Sequence, residues 1–178
     1  MMKSSVPVAP SPFGATLDVS GADLGTPAAG VTWDLSDLFS GPDDPRLDEE
    51  LASIDREAEA FAVRFRGTID VPGGPSAEWL RDGVAALEAL HERQWRVGGY
   101  AHLNYDQDTR NEGARALSQR VEERLTAPRN ALLFFDLEWM AVADEDAARI
   151  LIDPSLRPYR HFLEAQRHLD RKSTRLNS

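Results

Sequence analysis

The sequence predicts an all-α fold. Apolar residues recur in alternating steps of three and four through most of residues 45–170, the spacing of one helix face. No segment shows convincing period-two alternation, the mark of a half-buried strand. The breaks between periodic stretches carry helix-start and helix-stop residues, not hairpin turns.

Residues 1 to about 30 hold Pro7, Pro10, Pro12 and Pro27 among small residues, with little to bury. Such a stretch does not recover its ordering entropy, so a disordered tail is expected. VTWDLSDLFSGPDDP, residues 31–45, then mixes Trp33, Leu35, Leu38 and Phe39 with Asp and Ser, and is expected to anchor the chain ahead of the first helix. That helix starts at Pro45, with Leu47, Leu51, Ile54, Ala58, Phe61 and Phe65 on one face. Asp43, Asp44 and Asp48 suit its amino end, and Gly67 is a natural stop. A Pro-Gly-Gly-Pro break at residues 72–75 follows, with Ser76 as N-cap of the second helix.

The second helix carries Leu80, Val84, Leu87 and either Leu90 or His91, with Trp95 further along the same face. Gly98 and Gly99 are a soft point, and the helix should end near Asp106. Thr109-Arg110-Asn111-Glu112 fits a capping box with Thr109 as the cap. Ala114, Leu117, Val121, Leu125, Pro128, Leu132, Phe135, Trp139 and Val142 then keep one register, in which Pro128 should kink or break the helix. Around Leu132–Met140 this helix is apolar on more than one side, as a buried central helix would be. A short helix over about 144–152 stops at Asp153-Pro154, and a fifth from near Ser155 carries Leu156, Tyr159, Phe162, Leu163, Gln166 and Leu169.

Composition excludes several functions. The net charge is −10, so phosphate-rich partners such as nucleic acid or an anionic membrane surface find no basic cluster. With no cysteine there is no disulfide, thiolate nucleophile or Cys-based zinc site. The first residues lack a continuous apolar signal segment, and no run approaches the roughly 18 apolar residues of a membrane span. A cytoplasmic protein is the expectation.

Few residues offer chemistry. His91-Glu92-Arg93-Gln94-Trp95 begins like the zinc-protease motif His-Glu-x-x-His, but Trp95 stands where the second imidazole is required. His161, Glu164 and His168 share one stripe of the last helix and form either an imidazole–carboxylate–imidazole metal set or a solvated face; their position at the polar edge favours the second. Tyr100, Tyr105, Asp106 and Asp108 lie at a helix–helix turn, where capping explains the carboxylates better than acid–base work. Phe134, Phe135, Trp139 and Met140 are core before they are a pocket. No phosphate loop, nucleophile elbow or Ser/His/Asp constellation is present. The residues taken alone assign no catalytic, cofactor-binding or metal site.

Four stretches together resemble one family, the oligoendopeptidase F branch of the thimet-oligopeptidase-like zinc metallopeptidases. TWDLSDLFSGPDDP looks like the segment that opens these enzymes after a variable tail, and YAHLNYDQDTRNE is similar to their Tyr-Ala-x-Leu segment. LLFFDLEW and IDPSLRPYRHFLEAQRH resemble their Phe-Phe-x-Leu-Glu and Asp-Pro-x-Leu-x-x-Tyr stretches, in the same order. The resemblance covers about residues 31–170. It implies the amino-terminal part of a clam-like helical endopeptidase that cuts short oligopeptides, with residues 31–171 forming part of the channel wall. It also implies zinc, held in the carboxyl-terminal catalytic half by His-Glu-x-x-His and a further Glu. None of those positions exists in this sequence, so no catalytic residue carries over and the chain alone is expected to be inactive.

From Lys172 the sequence departs from the family: residues 172–178 are expected to be a non-native tail of a truncated gene model. Two other readings stand beside the peptidase: a freestanding helical interaction module with an apolar groove, and a metal-binding protein using His161, Glu164 and His168.

Overall fold

The computed structural model describes residues 34–167, and its architecture is all-α: five helices and, among the described residues, no strand. The expected tail over residues 1–30, Trp33, His168, Leu169 and residues 172–178 lie outside the described residues. Helices α1 (Pro45–Phe65), α2 (Ala77–Gln107) and α3 (Glu112–Ala141) pack against one another. The short α4 (Asp144–Leu151), a 3-10 turn (Pro154–Leu156) and α5 (described over 160–167) close one end. No helix among the described residues is long and apolar enough to cross a membrane.

The chain enters through the anchor segment. Phe39 is buried edge-on against Tyr100 of α2, with ring centroids 4.9 Å apart, while Leu35 and Leu38 are partly covered by the same cluster. Asp44 then caps α1: its carboxylate accepts from the Arg46 amide at 2.9 Å and the Ser40 amide at 2.7 Å, and meets the Arg46 guanidinium. The Arg46 guanidinium and these amides hold the Asp44 carboxyl far below the usual carboxylate range. The six apolar residues expected on α1 are the six it buries. Gly67, at φ 75°, turns the chain out of the helix in a conformation that a Cβ would strain. The Glu138 carboxylate of α3 accepts from the Gly67 and Ile69 amides at 2.8 and 3.2 Å, fixing this loop to the third helix.

Ser76 caps α2, accepting from the Trp79 amide at 3.1 Å, and the helix runs without interruption through Gly98 and Gly99. Its buried stripe differs from the expected one. Leu90 is buried, Gln94 takes the next core position, and Val97 and Ala101 follow. Trp95 lies about 100° further round the helix and is 78% exposed. At Gly83 a Cβ would stand 2.5 Å from a Phe135 ring carbon, so the absence of a side chain sets how closely α2 and α3 approach.

Helix α3 starts later than expected. Asn111, not Thr109, is the cap, its side chain accepting from the Ala114 amide at 3.1 Å, because the chain first turns from Asp108 to Asn111. Pro128 does not break the helix, which is continuous from Glu112 to Ala141; the proline ring sits on the buried stripe, among residues that fix the helix by packing. The fifth helix also starts later than Ser155. Asp153 caps the 3-10 turn at Pro154–Leu156, and α-helical structure resumes at residue 160. Trp139 ties α5 down, its indole N–H donating to the Leu163 carbonyl at 3.0 Å. The Arg167 guanidinium lies 5.3 Å from the Trp139 ring centre and donates to the Trp139 and Val142 carbonyls at 2.6 and 2.7 Å, closing the carboxyl end of α3.

Two apolar clusters result. One is aromatic: Phe61, Phe65, Phe134, Phe135 and Trp139 meet Leu80 and Leu87 beneath α4 and α5. The other is aliphatic, joining Leu47, Leu51 and Ile54 to Val97, Leu117, Val121 and Leu125 under Phe39.

Candidate functional site

An open cleft of chemical interest lies between α2, α3 and the segment that leads into α5. Its floor is α2, from Val84 through Leu87 and His91 to Trp95; Arg129 of α3 forms one wall, and Pro158, Tyr159 and Phe162 form the other. The cavity measures about 860 Å³, within the range of small-molecule and peptide sites. A second hollow continues along the pair past Gly98 to His102, sharing Gln94, Trp95 and Arg129.

Helical spacing builds this surface. Glu88, His91, Glu92 and Trp95 recur at three and four residues on α2, so they form one stripe beside the buried one. On α3, Arg129 lines the cleft, and Leu133 and Asp136 continue its stripe beyond the lining, with Leu133 55% exposed. His91 and Asp136 face each other electrostatically across the two helices. Burial pushes the His91 imidazole below its usual value and the Asp136 carboxyl above its own, each opposed by the other's charge. Burial likewise raises the Tyr159 hydroxyl, helped by the Glu88 carboxylate. The cations are already engaged: Arg129 meets Glu122 at 2.6 Å, and Arg96 meets Glu92 at 3.2 Å. Gln94 is 4% exposed and its side-chain Nε2 has no hydrogen-bond partner, an arrangement that costs about 1–3 kcal/mol.

The residues singled out from sequence are not brought together. His91 and Glu92 lie on this stripe with Trp95 in place of a second imidazole. His161 and Glu164 are exposed on α5, and the third member of that set, His168, is outside the described residues. Tyr100 is core, and Asp106 and Asp108 are exposed, with Asp108 accepting from the Arg110 amide at 3.1 Å. Phe134, Phe135 and Trp139 are buried in the core, as expected, with Met140 at its edge. Among the described residues no group of three His, Asp or Glu side chains is placed to hold a metal ion. Sequence reading missed Asp136, Gln94 and the cleft itself. The available signal was Trp95 and Leu133, two large apolar residues one step off the buried stripes.

The chain matches Oligopeptidase PepF of Bacillus subtilis (strain 168), with 24% identity over 134 residues. It is a distant relative of an oligopeptidase. The match covers 75% of this chain but only 19% of that protein, so the chain spans about a fifth of the length of the relative it matches. No family model matches the chain, and no solved structure does.

Proposed function

We propose that this chain is the amino-terminal, channel-wall part of a zinc-dependent endopeptidase acting on short oligopeptides. The observation that carries the reading is the match to an oligopeptidase over three quarters of the chain, in a body whose regular structure, among the described residues, is all helix. The described residues do not fit a zinc ion: His91-Glu92 lacks its second imidazole, and His161 and Glu164 stand exposed on α5. This chain's part is therefore to bind, orient and exclude, while zinc chemistry belongs to a catalytic half whose motif this sequence does not contain. Its helices wall a channel that admits flexible short peptides and turns folded proteins away. The chain by itself is inactive, works in the cytoplasm, and has the catalytic half and oligopeptides as partners, with neither nucleic acid nor membrane among them.

The test is the genomic DNA beyond codon 171, followed by expression of whatever longer protein it encodes. The expected result is an open frame reaching His-Glu-x-x-His, with chelator-sensitive cleavage of a quenched oligopeptide by the longer protein and none by the 178-residue chain. A genuine stop without a downstream motif overturns the reading in favour of a freestanding helical interaction module, for which the open α2–α3 cleft would be the binding face.

A further inference from the structure

We draw no further inference here: the strongest candidate, the open apolar cleft between α2, α3 and the segment over residues 158–162 with Trp95 exposed along it, carries nothing because nothing in the structure shows what covers it.

Discussion

The α2–α3 pair has two unlike sides. Toward α1, the buried stripes are filled along their length: Leu47, Leu51 and Ile54 of α1 meet Val97, Leu117, Val121 and Leu125, and Ala58, Phe61 and Phe65 meet Phe134 and Phe135, with Phe61 lying 5.8 and 5.6 Å from their ring centres. Ion pairs seal the edge, Arg93 holding Glu50 at 2.7 Å and Glu57 at 2.6 Å. Away from α1, α4 and α5 cover one end and leave the rest as the cleft, with Trp95 and Leu133 in solvent. One side makes the fold and the other does not need to.

Substitutions should separate the two sides. The largest effect belongs to the closed side: Phe135→Ala should cost about 3–5 kcal/mol, read as a lowered denaturant midpoint, because the ring is buried against those of Phe61, Phe65 and Phe134 and its loss leaves a cavity. Next comes the cap of α3: Asn111→Ala should cost about 1 kcal/mol, whereas Thr109→Ala should cost nothing measurable, which separates the observed cap from the capping box expected from sequence. Gln94→Leu should raise stability by roughly 1 kcal/mol, since it removes an unpartnered buried amide from an otherwise apolar stripe.

A smaller effect is expected from pH. His91 has its proton affinity lowered by folding, so the unfolded chain binds more protons below 6.5; stability rises as pH climbs toward that value and is fully restored above it. Asp136, raised above 3.8, works the other way, losing stability as pH rises through its folded value. His91→Gln should therefore flatten the loss of stability on acidification from pH 7 toward pH 5, measured by thermal melts; an unchanged slope would show that the imidazole is not desolvated. The smallest effect is at the open side: Trp95→Ala should change stability by less than about 0.5 kcal/mol, yet reduce hydrophobic-dye binding by the isolated chain.

The sequence shows the closed side much more clearly than the open one. The six buried positions of α1 could be read directly, because a stripe packed between two helices repeats without exception. On α2 the expectation went astray at residues 94 and 95, where a polar residue takes the core position and an indole the solvent position; hydropathy ranks them the other way. The late start of α3 and its passage through Pro128 follow from local turn chemistry and from packing, both of which override a spacing rule. The cleft was illegible for another reason. It depends on where α5 lands, and that is set by Trp139 and Arg167 acting across more than 20 residues of intervening chain, not by any motif.

Two adjacent residues of α3 test the two-sidedness most directly. The chain has no cysteine, so single thiols can be placed at will. Leu132, 2% exposed, belongs to the aromatic core, and Leu133, 55% exposed, stands one turn from Arg129 on the open side. Under native conditions Leu133→Cys should react with a maleimide at the rate of a free thiol, and Leu132→Cys at least 100-fold more slowly, limited by opening of the fold. Equal rates at the two positions would contradict the account, because they would mean that the α2–α3 pair has no closed side for the cleft to differ from.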